Sequence, residues 1–120
     1  MSLWLLRDAR TGRVLAGRMR RADGWLTRTL GFLPRSSIAA DEGLWFARCR
    51  GVHTLGMRVP LDVVFLDRRG CVIGIDAAVG PGRWHVREAR ADAVAEFAAG
   101  FAAAQRLAPG DELVLERLPD

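Results

Sequence analysis

The chain has 120 residues, of which 50% are hydrophobic and 27% are charged, and this is the composition of a folded globular protein rather than of a disordered segment. A chain of this length, treated as one domain over residues 1–120, can bury a proper core. No apolar run approaches the roughly 20 residues of a membrane span, and the first residues lack the basic lead of a signal peptide. We therefore predict a cytoplasmic protein without a membrane span.

The formal net charge is +4, and all 18 basic residues are arginine. A basic balance can indicate nucleic-acid binding. Here the arginines are spread along the whole chain, and no basic motif interleaved with aromatic residues occurs, so nucleic acid is not a predicted partner. The two cysteines, Cys49 and Cys71, do not make a disulfide framework.

Alternating hydrophobicity and turn residues predict a chain made mostly of short strands. In chain order the strands are predicted at residues 3–7, 13–19, 44–47, 52–55, 61–66, 71–75, 83–87 and 112–117. Two short helices are predicted, one over 24–30 with Asp23 as its N-cap and one over 100–107. Short strands separated by frequent turns are typical of a mainly β fold, so we expect a β-sandwich or barrel of about eight or nine strands.

Two arginines, Arg28 and Arg35, flank the loop that follows the first predicted helix. The planar guanidinium group matches carboxylates and phosphates in bidentate geometry. One interpretation is that these arginines bind an anionic ligand. The alternative is that one of them is the buried partner of Asp62.

The predicted strand 61–66 carries one charged residue on a face that is otherwise apolar. Because side chains alternate along a strand, Asp62 shares a face with Val64 and Leu66, and the odd-numbered residues share the other. A buried carboxylate has to be paired, hydrogen-bonded or protonated. Asp62 therefore either accepts bonds from backbone amides or an arginine and fixes the entry to the strand, or it lines a pocket.

Cys49, His53 and Met57 recur at every fourth residue, a spacing that puts them on one face of a strand or a helix. A thiolate, an imidazole and a thioether are ligands that soft metals such as Cu(I) prefer, so one interpretation is a copper or zinc site. Specific zinc motifs show paired short spacings and four ligands, which are missing here. The alternative is that Cys49 and Met57 fill the core and His53 bonds to the backbone. No cofactor is predicted.

The order of residues 49–67, Cys-Arg-Gly-Val-His-Thr-Leu-Gly-Met-Arg-Val-Pro-Leu-Asp-Val-Val-Phe-Leu-Asp, resembles the DUF192 (UPF0127) family, in its branch with His-Thr before the Pro-Leu-Asp motif. Residues 28–35 resemble the family's Arg-x-x-Gly-Leu-(Met/Leu)-x-Arg element, and residues 43–46 its Gly-Met-Leu-Phe strand. Residues 94–100 resemble its Val-Leu-Glu-Leu-Pro-Ala-Gly segment, and residues 107–111 its usual ending. The resemblance covers most of the chain beyond Trp25.

This resemblance implies a mainly β, sandwich-like fold. It also implies a ninth strand at residues 94–97, although the surrounding alanines favour a helix. Departures from the family pattern at Phe32, Pro34 and Ala98 concern the shape of two loops. The family has no known biochemical function, so the resemblance implies positions for a site without implying a reaction.

Three functions fit these residues. The first is a non-enzymatic binding or accessory module, with a cleft for a small polar or anionic ligand or a peptide segment where the loop 28–35 meets the strand around His53. Its predicted ligand-binding residues are Arg28, Arg35, His53, Thr54, Met57, Arg58 and Asp62. We favour this function because the residues supply donors, an acceptor and a titratable ring but no activated nucleophile.

The second function is a hydrolase or transferase, in which His53 is the general base and Asp62 orients it. Cys49 could act as a nucleophile there only as a thiolate. The third is the soft-metal site of Cys49, His53 and Met57. The partner is a small polar or anionic ligand or another protein, and the chain is expected to be a monomer or a weak dimer.

Overall fold

The computed structural model describes residues 3–22, 36–83 and 86–119, and within these ranges it contains nine strands and one short helix. The elements are β1 Trp4–Asp8, β2 Val14–Arg21, β3 Glu42–Ala47, β4 Gly51–Val52, β5 Leu61–Leu66, β6 Val72–Val79, β7 Val86–Arg87, β8 Ala93–Ala98, α1 Phe101–Ala104 and β9 Leu113–Arg117. The predicted mainly β fold is confirmed. The helix predicted over 24–30 lies outside the described residues.

Seven strands form one sheet in the order β6-β5-β8-β3-β2-β1-β9. Its neighbouring strands are antiparallel except β2 and β3, which are parallel. The two outer strands meet at one end, because Val72 N–H donates to the Asp111 carbonyl and Leu113 N–H donates to the Gly70 carbonyl, both at 2.8 Å. The sheet therefore curls into a partly closed barrel.

The tight turn between β5 and β6 lets the backbone of Gly70 approach β9 closely at this closure. Gly70 has a φ of 83°, a left-handed conformation that glycine adopts without steric cost. A Cβ atom at Gly70 would run into the carbonyl oxygen of Leu113. The sequence predicts both the hairpin and the positive φ of this glycine, and the structure confirms both.

Separate hydrophobic clusters pack on the two faces of the sheet. The first cluster lies inside the curl and draws on β1, β2, β5, β6, β8, β9 and α1. The second cluster lies on the outer face of β3, β5 and β8, where residues from the segments 49–59 and 86–91 cover it. In β5 the even positions Val64 and Leu66 belong to the first cluster and the odd positions to the second, which confirms the predicted alternation.

The strand predicted at residues 94–97 is β8, which is paired on both sides. Its residues form antiparallel ladders with β3 and with β5. These two ladders override the helix propensity of the alanines. The second predicted helix is shorter than residues 100–107, because Arg106 takes a positive φ of 56° and the chain leaves the helix after one turn.

A small two-stranded sheet, β4 with β7, lies over the second cluster. Val52 pairs with Val86, and both side chains pack into that cluster. The strand predicted over 52–55 stops at Val52, because the chain turns at Leu55 and Gly56. This turn, on the outer side of the sheet, carries several of the residues predicted to bind a ligand.

Candidate functional site

Thr54 joins the turn after β4 to the turn after β6. The side chain is fully buried, and its Oγ1 donates to the Gly80 carbonyl and accepts from Arg83 N–H, both at 2.8 Å. The Thr54 N–H donates to the Arg83 carbonyl at 2.8 Å, and its carbonyl accepts from Gly82 N–H at 2.8 Å and Met57 N–H at 3.2 Å. Since a hydroxyl can donate and accept at once, one threonine fixes the two turns to each other.

His53 and Arg58 sit on either side of this anchor. His53 is half-buried, and its Nδ1 accepts from Leu55 N–H at 3.3 Å. An accepting Nδ1 carries no proton, so the proton of the neutral ring is on Nε2, which is then a donor. Arg58 is exposed, whereas the preceding residue, Met57, is 8% exposed and packs into the second cluster.

Arg83 is a further cation beside Thr54, and it was not among the residues predicted to bind a ligand. Its side chain is exposed, and its backbone is bonded to Thr54 in both directions. The two residues are 29 positions apart. Only the Gly-Pro-Gly turn before Arg83 hints at a constrained backbone, so this contact depends on the tertiary fold.

Asp62 is held by the backbone on the opposite face of the sheet. It is 1% exposed, its Oδ1 accepts from Ala78 N–H at 2.8 Å, and its Oδ2 accepts from Ala102 N–H at 2.9 Å. Ala78 takes a φ of 50° at an irregularity of β6, which turns its N–H toward the carboxylate. Asp62 thus makes the backbone contacts that the first interpretation describes. The structure does not bring it together with His53, whose turn covers the outer face.

The described cysteines show no sign of activation. Cys49 Sγ donates to the Gly51 carbonyl at 3.0 Å, an arrangement that needs the thiol proton. At Cys71, partial burial and the negative charges of Asp67 and Glu112 raise the pKa of the thiol. A thiol is a nucleophile only as a thiolate, so both environments work against that role.

Metal binding has little support within residues 3–22, 36–83 and 86–119, where no group of three His, Cys, Asp or Glu side chains could hold an ion. Methionine is not one of these ligand types, so the set of Cys49, His53 and Met57 stays a prediction. Arg28 and Arg35 lie outside the described residues, and their predicted role stays a prediction too.

A second buried carboxyl, Glu96 on β8, was not predicted as a site residue. It is 3% exposed and lies opposite Leu44 of β3 and Val63 of β5, on the face of the second cluster. No described residue donates a hydrogen bond to it or forms an ion pair with it. Burial raises its pKa to about 8. The signal in the sequence is a glutamate inside the apolar run 93–98, which is the same signal that draws attention to Asp62.

These features define a class of protein: a partly closed barrel whose outer face is covered by two turns joined at a buried threonine. The family model DUF192, described as "Uncharacterized ACR, COG1430", matches residues 7–115, and the chain belongs to this family. No curated protein matches the chain.

Solved structures share this fold. A protein of unknown function from Novosphingobium aromaticivorans is 23% identical with a TM-score of 0.79, and the alignment covers 93% of this chain and 83% of that one. A candidate transcription regulator from Sinorhizobium meliloti is 22% identical with a TM-score of 0.80, covering 95% and 92%. A candidate exported protein from Burkholderia pseudomallei is 18% identical with a TM-score of 0.50, covering 97% and 25%. These identities support the fold alone.

The part of the chain that the structure describes has no helix with the length and apolar character needed to span a bilayer.

Proposed function

We propose that this protein is a non-enzymatic binding module that holds a small anionic ligand at the two turns joined by Thr54. The observation that carries the proposal is the hydrogen bonding of Thr54, which fixes the turn that bears Arg58 to the turn that bears Arg83. Both arginine side chains are exposed. A rigid frame with two cations lowers the entropy that is lost when an anion binds.

The chemistry of the frame fits an anion with several oxygens. Each guanidinium presents planar donors that match carboxylate and phosphate groups. His53 adds an imidazole to the same turn. The predicted arginines Arg28 and Arg35 would extend this set.

Catalysis by His53 and Asp62 has less support than binding. Both oxygens of Asp62 already accept backbone hydrogen bonds, so the carboxylate binds the backbone rather than an imidazole. No observation favours Cys49 or Cys71 as a nucleophile. We therefore place the protein among binding modules, and we propose a cytoplasmic location and a monomer or weak dimer as its working state.

The test is a thermal shift with inorganic phosphate and with small dicarboxylates, each compared with chloride at equal ionic strength. With a Kd of about 1 mM, about 10 mM ligand stabilises the fold by about 1.4 kcal/mol, which corresponds to a rise in Tm of roughly 4–8 °C. Arg58→Gln and Arg83→Gln should each reduce the rise. Arg69→Gln is the matched control, because this exposed arginine lies in the turn at the far end of β5.

Two results would contradict the proposal. One is that no anion in the panel raises the Tm beyond the chloride control. The other is that Arg58→Gln and Arg83→Gln retain the full shift while Arg69→Gln behaves like the parent.

A further inference from the structure

Glu96 has an unusual position for a carboxyl group. It lies in the middle of β8, with Leu44 opposite it on one neighbouring strand and Val63 opposite it on the other. The next residues of β8 on the same face are Val94 and Ala98, so the group is bordered by apolar side chains on all four sides within the sheet. It is 3% exposed, and it has no hydrogen-bond partner among the described residues.

Among the residues that the structure describes, no cation forms an ion pair with Glu96. Glu42 of β3 lies diagonal to it on the same face, at a Cβ separation of roughly 7 Å, and Glu42 Oε1 accepts from Ala39 N–H at 2.9 Å. Arg20 of β2 and Asp76 of β6 are each two strands away, roughly 10 Å. The covering turns carry His53, Arg58 and Arg83, with both arginine side chains exposed, and Met57 presents a thioether.

A buried carboxyl needs a partner or a proton, because an isolated charge in apolar surroundings is costly. A hydrated metal ion is a poor partner here, since divalent ions require several oxygen, nitrogen or sulfur ligands. No group of three metal-binding side chains occurs among the residues that the structure describes. An organic cation fits better, because its apolar body can pack against the side chains around the carboxyl.

We propose that Glu96 is the recognition group of a site for a small organic cation, one that carries an ammonium or amidinium group on an apolar body. The site is distinct from the anion site at Thr54, and it does not depend on that proposal. The apolar residues around Glu96 contact the body of the ligand, and the carboxylate pairs with its charge.

Binding at this site is coupled to loss of a proton. Burial holds the pKa of Glu96 at about 8, so the carboxyl is protonated in the free protein at neutral pH. A cation pairs with the ionised form and displaces that proton. Affinity should therefore rise about tenfold for each pH unit up to about pH 8 and level off above it.

The experiment uses benzamidinium chloride as the probe and neutral benzamide, which has nearly the same shape, as the ligand control. Isothermal titration calorimetry in two buffers of different ionisation enthalpy measures the number of protons released per bound cation. We expect close to one proton at about pH 6 and close to none at about pH 10. Glu96→Gln should abolish binding, and Glu112→Gln, which removes an exposed carboxyl beside Cys71, should leave binding unchanged.

Four results would overturn the proposal: no binding of benzamidinium at millimolar concentration, equal binding of benzamide, binding without proton release at about pH 6, or unchanged binding by Glu96→Gln. The proton count on the parent protein decides the matter even where Glu96→Gln does not fold. Loss of phosphate binding in Arg58→Gln leaves this result untouched, so the two proposals fail separately.

Discussion

Asp62 and Glu96 are buried carboxylic acids on adjacent central strands, and they have opposite environments. Asp62 faces the first cluster, where Ala78 and Ala102 each donate a backbone N–H to it. Glu96 lies opposite Val63, the residue after Asp62, and so faces the second cluster, where no described N–H reaches it. The chain thus uses one carboxyl to hold its own backbone, and it leaves the other available to a ligand.

The largest effect is expected when the satisfied carboxyl is removed. Asp62→Ala removes the acceptor of two N–H groups, the buried one of Ala102 and the part-buried one of Ala78. An unsatisfied group costs about 1–3 kcal/mol, and the buried one lies at the upper end, so the variant should lose about 3–4 kcal/mol of unfolding free energy in urea denaturation. A loss below about 1 kcal/mol would mean that this carboxylate does not fix α1 and β6, and the contrast with Glu96 would disappear.

Replacing Glu96, the carboxyl without a hydrogen-bond partner among the described residues, should instead raise the unfolding free energy at high pH. The pKa of Glu96 is raised from 4.5 to about 8 in the folded protein, so the unfolded chain ionises first as pH rises. The contribution of this group to stability is fully present below about pH 4.5 and is lost progressively up to about pH 8. Above that pH, Glu96→Gln should be more stable than the parent by a few kcal/mol.

The measurement for Glu96 is the difference in unfolding free energy between Glu96→Gln and the parent protein from pH 4 to pH 9. The difference cancels the titration of all other groups, and Glu112→Gln reports any effect of removing a surface charge. A difference that stays constant over this range would show that Glu96 is ionised or paired in the folded protein, and the cation site would lose its basis.

Thr54 is, like Asp62, a buried polar group whose hydrogen bonds are satisfied, but it is neutral. Thr54→Val keeps the shape and removes the bonds to the Gly80 carbonyl and from Arg83 N–H. We expect a loss of about 2 kcal/mol in urea denaturation and a weaker thermal shift with phosphate. Thr54→Ser retains the hydroxyl and should keep most of the phosphate response. If Thr54→Val binds phosphate as the parent does, the joined turns are not the site.

The sequence predicts which residues of β5 share a face, but not which groups form hydrogen bonds with them. Alternation alone assigns Asp62 to the face of Val64 and Leu66, and the structure agrees. The donor from Ala102 is 40 residues away, and it reaches Asp62 only because β8 returns beside β5 and leads into α1. Such partners depend on long-range topology, which local patterns do not encode.

The burial of Glu96 is likewise not predicted by the local sequence. Its strand lies in an alanine-rich segment whose propensity favours a helix, and only the family resemblance indicates a strand. In a helix the glutamate would have an exposed face available to it. The pairing with β3 and β5 removes that freedom and buries the carboxyl. Arg83 is similar, since its importance comes from a bond to Thr54 across 29 positions.

His53→Ala should lower the unfolding free energy least of these variants. It tests whether His53 stabilises the turn or only contributes to binding at its surface. The variant loses the hydrogen bond from Leu55 N–H to Nδ1 at 3.3 Å, at a half-buried site where water can replace the acceptor. We expect a loss of about 0.5–1 kcal/mol, or roughly 2–6 °C in Tm, which is clearly less than for Thr54→Val. The thermal shift with phosphate should fall in the same variant, because the proposed site loses the imidazole of this turn. A loss of stability equal to that of Thr54→Val, with an intact phosphate response, would instead make His53 part of the frame, and the anion site would then rest on the arginines alone.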